Sequence, residues 1–204
     1  MKRRTALMSA LICTVALSLA GLAALALAAI PPRTLVATPS ELPGFASAKV
    51  KLRSGDSPSA WAKNVLKDRP AQVSKDVARL KRSGFSQGVQ ELLATSQAEA
   101  LSFTVVFHTA KQAKHELKVS ASESVKAQGK AEVKRLSIAS IPGSFAFTAA
   151  EPGKPGAAGN VLFAVGRCFV VVGDSMRTGS AEQASAVPTV GGTAVYKRIK
   201  HRCG

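Results

Sequence analysis

The stretch running from Asn160 through "NVLFAV", then Gly166-Arg167, then "CFVVVG" to Gly173 constrains this chain more than any other. Two apolar runs rich in β-branched and aromatic residues stand on either side of two turn residues. Glycine in the first of two turn positions is the mark of a type II′ hairpin. A two-residue connection can join only antiparallel strands, so an all-parallel α/β architecture is excluded here. The runs are apolar at nearly every position instead of alternating, the pattern of strands covered on both faces or nearly so. The hairpin is therefore expected at the centre of an antiparallel sheet.

The rest of the chain supplies the other elements. "ASAKVKL" offers a short first strand. Ser57-Pro58 opens a helix, with Ser57 as cap and Pro58 where a missing N–H loses nothing. Val73, Val77 and Leu80 space a second helix that ends at Gly84, a glycine in the C-terminal position. "FSQGVQELL" and "ALSFTVVFH" read as paired strands, Leu101, Phe103, Val105 and Phe107 alternating onto one face. At Thr109 the period changes to a helix lined by Ala110, Ala113 and Leu117, with Lys111, Lys114, Lys118 and Lys126 solvating the rest. "VKRLSIAS" and "SFAFTAA" then lead into the hairpin. Pro188, Gly191 and Gly192 predict a broken final helix, firm only over "GTAVYKRIK". The order β-αα-ββ-α-ββββ-α predicts an α+β domain over residues 41–204, an antiparallel sheet with helices packed on one face.

An N-terminal apolar leader precedes this domain. Lys2, Arg3 and Arg4 are followed by no charged residue until Arg33, and Ala26-Leu27-Ala28 fits a signal-peptidase site. Residues 1–28 are read as a signal peptide or a retained membrane anchor, because the apolar run is long enough for either. Both place the domain outside the cytoplasm, secreted or anchored. Ile12 before Cys13 is too bulky for a lipobox, so Cys13 is read as filler. Residues 29–40, "AIPPRTLVATPS", read as a linker.

Two cysteines remain, Cys168 and Cys203. An even number in an exported chain points to a disulfide, with two free thiols as the alternative. Without Lys2, Arg3 and Arg4, 25 of the 28 Lys and Arg remain against 12 Asp and Glu. Such a field favours anionic partners, lipid headgroups, wall polymers or nucleic acid, with a small ligand as the other partner expected. Single-stranded nucleic acid is disfavoured, because its aromatic platforms are lacking: the phenylalanines sit at core spacings.

Gly84-Phe-Ser86-Gln-Gly88 matches the Gly-x-Ser-x-Gly pattern of a hydrolase nucleophile elbow, and Asp174 and His201 follow in the chain order of a triad. An elbow, however, follows a buried strand, whereas "DVARLKR" before Gly84 is charged and helical in period. A small secreted serine hydrolase is therefore the alternative and not the reading adopted. His108, His115 and His201 are scattered, with no Cys-x-x-Cys, so no metal site is expected. The glycines of "EPGKPGAAGN" alternate with proline and precede a strand, so no phosphate-cradling loop and no cofactor is expected.

A strand ending in Phe107-His-Thr, the helix "AKQAKHEL", a hairpin and a closing helix resemble, over residues 99–200, the extracytoplasmic sensor-type domains of bacterial lipoproteins and serine/threonine kinases. The resemblance implies a ligand- or partner-binding module with a cleft and no catalytic residue. The expected function is thus an exported, basic, non-catalytic binding or sensor-type domain of the bacterial envelope. A basic protein adhering to anionic wall polymers or lipid is the other alternative.

Overall fold

The computed structural model describes residues 30–66 and 70–204. The leader, with Cys13 and the Ala26–Ala28 motif, lies outside the described residues. In chain order the elements are β1 (Lys49–Gly55), α1 (Pro58–Trp61) continuing into a π-turn (Ala62–Leu66), α2 (Pro70–Ser83), β2 (Phe85–Ala94), β3 (Ala98–Phe107), α3 (Ala110–Lys126), β4 (Glu132–Leu136), β5 (Phe145–Ala150), β6 (Ala157–Val165), β7 (Cys168–Met176) and α4 (Ala186–Ile199). The expected caps are in place: Ser57 accepts from the Ala60 N–H, and Thr109 forms a reciprocal box with Gln112.

The strands form one sheet in the order β1-β2-β3-β7-β6-β5-β4, antiparallel at every pairing. After β3 the chain crosses through α3 to the far edge, then meanders back until β7 pairs with β3. Val165 faces Cys168 across the two-residue turn, where Gly166 has φ +51°. β7 is the middle strand of the seven, as its unbroken apolarity predicts, and is buried from Cys168 to Asp174. The α+β antiparallel architecture is as expected.

The helices, however, cover both faces instead of one. On the first face Trp61, Val65, Leu80 and Ala113 pack with Phe85, Val105, Phe107, Leu162, Phe169 and Val171, so α1, α2 and α3 lie there. On the second face α4 meets the alternate residues: Tyr196 stacks edge-on to Phe163 at 5.8 Å, Gly191 lies against Val172 and Gly192 against Val161. The physical reason is in β7 itself. A strand apolar at successive positions presents Val170 and Val172 to one side and Phe169 and Val171 to the other, and neither set is stable in water.

Two further expectations are corrected on the second face. The final helix is continuous through Pro188, Gly191 and Gly192. Pro188 lies in its first turn, where its missing N–H breaks no intrahelical bond. A Cβ on Gly191 would collide with Leu42 and one on Gly192 with Val161, so the two glycines let the helix approach the sheet. Residues 32–40, read as linker, instead form a strap on the sheet, with Leu35, Val36 and Ala37 completely buried. The Ala37 N–H donates to Ser102 Oγ (2.8 Å), and Thr104 Oγ1 donates to the Leu35 carbonyl. From α4, Arg198 donates through Nε to the Thr34 carbonyl (2.9 Å), through Nη2 to the Val36 carbonyl (2.6 Å), and through Nη1 to Glu41. These contacts satisfy a backbone that no strand pairs.

The disulfide Cys168–Cys203 joins the start of β7 to the tail beyond α4, with Cα atoms 5.6 Å apart and both residues buried. The Arg167 N–H donates to the Cys203 carbonyl at 2.7 Å, so the tail closes over the hairpin turn. Closing a loop of this length stabilises a domain by about 4 kcal/mol in the chain-entropy account. Cys203→Ser is expected to lower the melting temperature by roughly 4 °C or more, measured by thermal denaturation. Non-reducing peptide mapping should recover the Cys168–Cys203 pair from protein purified from the oxidising side of the membrane.

Candidate functional site

The three residues of the hydrolase pattern do not assemble. Gly84 has φ +75° and ends α2, so the pattern straddles a helix end, and Ser86 sits at an irregularity in the pairing of β2 with β3. That end of β2 lies at the same end of the sheet as Cys168, one strand away across β3, whereas Asp174 is six residues further along β7, about 20 Å at the rise of a strand. His201 is exposed beyond α4. No triad forms.

The structure brings together another set. Where α2 and α3 run side by side on the first face, a groove of about 420 Å³ opens between them, lined by Arg79, Arg82 and Ser83 from α2 and by Lys111, Gln112, His115, Glu116 and Val119 from α3. Arg79 reaches Asp76 and Glu116, both at 3.7 Å, and is half-exposed, so these pairs are loose. No ion pair among the described residues engages Arg82, Lys111 or His115. Local rules put these side chains here: Lys81 and Arg82 complement the negative end of the α2 dipole, and Lys111 and His115 are four apart on α3.

Arg79 and Glu116 also line a second, deeper cavity of about 190 Å³ between these helices and the sheet. Its walls are Trp61, Leu80, Phe103, Val105, Phe107 and Phe169, with Ser120 and Glu123 at the α3 side. Gln90, from β2, contributes a buried Oε1 that accepts no hydrogen bond. Such an atom is a standing demand for a donor. Outer groove and inner cavity share Arg79 and Glu116, so a largely basic rim adjoins an aromatic-walled space in one cleft. Sequence reasoning missed it because each helix, taken alone, shows an ordinary solvated face. Only the spacing of Trp61 from the helix positions could have hinted that the aromatic wall lies beneath those cations.

The second face holds two unusual carboxylates. Glu91, on β2 beneath the strap, is buried with Oε1 unpartnered. Burial raises its pKa, and the nearby Arg33 partly offsets this. Burial also acts on Glu41, but there the hydrogen bonds from Arg198 and the Thr38 backbone outweigh it, and its pKa is lowered. Asp174 is only 7% exposed, and its Oδ1 accepts no hydrogen bond. Burial pushes its pKa up to about 7, with the Gly159 and Asp174 backbone amides opposing the shift.

Among the described residues no group of three or more His, Cys, Asp or Glu side chains is placed to hold a metal, and no helix is long and apolar enough to cross a membrane. No protein-family model and no curated protein matches the chain. Among solved structures, the extracellular domain of PknH from Mycobacterium tuberculosis is similar, with a TM-score of 0.44 and 14% identity over 75% of this chain and 84% of that one. At this score the likeness is weak.

The Asp174 shift has a consequence for stability. Its folded value of about 7 lies above the ordinary 3.8, so between those limits the folded chain holds a proton that the unfolded chain releases. Stability should therefore fall as pH rises from 4 to 7, by on the order of 3 kcal/mol from this group. Asp174→Asn removes the ionisation. It is expected to raise the melting temperature at pH 8 relative to the native chain while changing it little at pH 5. Equal effects at both pH values would contradict the assignment.

Proposed function

We propose that this chain is an exported, non-catalytic binding domain of the bacterial envelope, and that its ligand is an anionic amphiphile held in the cleft between α2 and α3. The observation that carries this reading is the pairing of Arg82, Lys111 and His115, none of them in an ion pair among the described residues, with an aromatic cavity beside them that holds the unpartnered Gln90 Oε1. An anionic group at the mouth meets the cations. An apolar body lies against Trp61, Phe103 and Phe169, and a hydroxyl or amide of the ligand donates to Gln90. Most of a ligand's burial would then come from apolar contact, with a few polar groups fixing its orientation, as in small-molecule sites generally. The disulfide is in keeping with an oxidising compartment, and the leader expected at residues 1–28 supplies the route.

Trp61 is the sole tryptophan and lines the inner cavity, so occupancy should change its emission directly. Titration with dodecyl phosphate below its micelle concentration is expected to shift that emission and saturate. Arg82→Ala and Lys111→Ala should each weaken binding about tenfold, the scale of one charge-assisted contact. Dodecanol binding as tightly as the phosphate, or an emission unchanged by either, would overturn the assignment. Binding that vanishes at ~0.5 M salt without any change at Trp61 would instead indicate surface adhesion to anionic polymers. For location, protease added to intact spheroplasts is expected to digest the domain, and full protection until lysis would contradict export.

A further inference from the structure

A cavity of about 250 Å³ lies on the second face of the sheet, at the opposite end from the disulfide. Its wall is made by three separate parts of the chain: the segment after the strap at Pro43–Phe45, the β2–β3 turn with Thr95, Gln97 and Ala98, and Gln183 with the first α4 residues Ala186 and Val187. Asp174 and Met176, from the end of β7, complete it. The only titratable group in the lining is Asp174. Its neighbours on the same face of the sheet, Ala100 on β3 and Gly159 on β6, are uncharged as well. In a chain this basic, a chamber with one carboxylate and no cation is an exception.

The carboxylate is more than nine-tenths buried, and its Oδ1 has no hydrogen-bond partner. Of the other polar side chains in the lining, Gln183 accepts through Oε1 from the Ser180 N–H at 2.8 Å, Thr95 accepts through Oγ1 from the Ala98 N–H at 3.0 Å, and Gln97 is exposed. What the cavity offers is therefore one strong acceptor on a largely apolar wall of Phe45, Ala98, Met176, Ala186 and Val187. A buried carboxylate with one oxygen unpartnered, eased only by the Gly159 and Asp174 backbone amides and with no counter-charge in the lining, is costly to hold, and a bound donor of positive charge repairs it. The cavity is smaller than the ~300–1,000 Å³ of drug-sized pockets, so the group it takes is short.

We propose that this cavity binds a small aliphatic ammonium ion, with Asp174 as its counter-ion and the Phe45, Met176 and Val187 side chains around its methylenes. The site is separate from the α2–α3 cleft, which lies on the other face of the sheet. Because the ammonium requires the ionised carboxylate, it competes with the proton that burial favours, and affinity should rise as pH is raised through neutrality. The ammonium itself stays charged across that range.

The test uses the whole extracytoplasmic chain with its disulfide intact. Butylammonium chloride is titrated at pH 6 and pH 8, followed by amide chemical shifts of Ala98, Gly159 and Val187. Saturable shifts are expected, with affinity about tenfold higher at pH 8, while 1-butanol of the same shape should bind at least tenfold more weakly. Asp174→Asn, checked by its melt to be folded, should lose the preference for the ammonium over the alcohol, and Arg82→Ala should leave it intact. Nα-acetyl-lysine amide in a parallel titration tells a free amine from a lysine side chain as the source, and shifts with either compound support the site. Equal binding of butylammonium and butanol, an unchanged preference in Asp174→Asn, or no shifts at these amides with any ammonium up to ~10 mM would overturn the proposal, leaving a buried acid hydrated by water alone.

Discussion

Everything in this fold follows from β7 being apolar on both sides and lying in the middle of the sheet. Phe169 and Val171 demand cover on one face, and Val170 and Val172 demand it on the other. A side chain such as Phe or Val contributes about 1.5–3 kcal/mol when fully buried, so leaving either pair in water would forfeit a large part of the ~5–15 kcal/mol by which a domain is stable. The covering is done by different means on the two faces. Three helices lie over the first. On the second, α4 shares the task with a strap that has no regular structure beyond single 3₁₀ turns.

The strap shows how irregular chain can be held in a core. Its apolar residues give it reason to dock, but its backbone groups must find partners as well. Ser102 and Thr104 are buried polar residues on a mostly apolar face, and both anchor that backbone. Arg198 completes the set from above, binding two strap carbonyls and Glu41 with one guanidinium. Its planar fork of donors suits that geometry, and lysine would not replace it.

Both candidate binding places arise where these covers fail to close. On the first face α2 and α3 leave a cleft whose rim is basic because helix surfaces carry the chain's excess of Lys and Arg. On the second, the strap's end and the start of α4 stop short of the end of β7, where Asp174 is left without a counter-charge. The two have opposite character in one small domain, cationic over aromatic in the first and anionic over aliphatic in the second.

Much of this was legible in the residues. Ser57-Pro58, Thr109, Gly84 and the Gly166-Arg167 turn act through bonds to near neighbours, and the period of apolar residues reports how each element sits against something flat. Element order, the antiparallel sheet and the position of the hairpin follow from such local chemistry. The pairing of Cys168 with Cys203 followed from counting. The covering of both faces was implicit in the apolarity of "CFVVVG", yet the strap that does part of it was not, because "TLVATPS" has neither helical nor strand period. Its place depends on Arg198, far away in sequence. Gly191 and Gly192 read as helix breakers until the closeness of Leu42 and Val161 shows that any larger residue would push those side chains aside. The cleft and the Asp174 cavity are likewise products of juxtaposition: cations on two helices, a glutamine on a strand and an aspartate at a strand's end each look ordinary alone. Local sequence determines what can be decided within one element, by backbone sterics and near-neighbour hydrogen bonds. Which distant side chains share a desolvated space is decided only when the faces of the sheet are covered, because burial is what turns an ordinary polar group into a site.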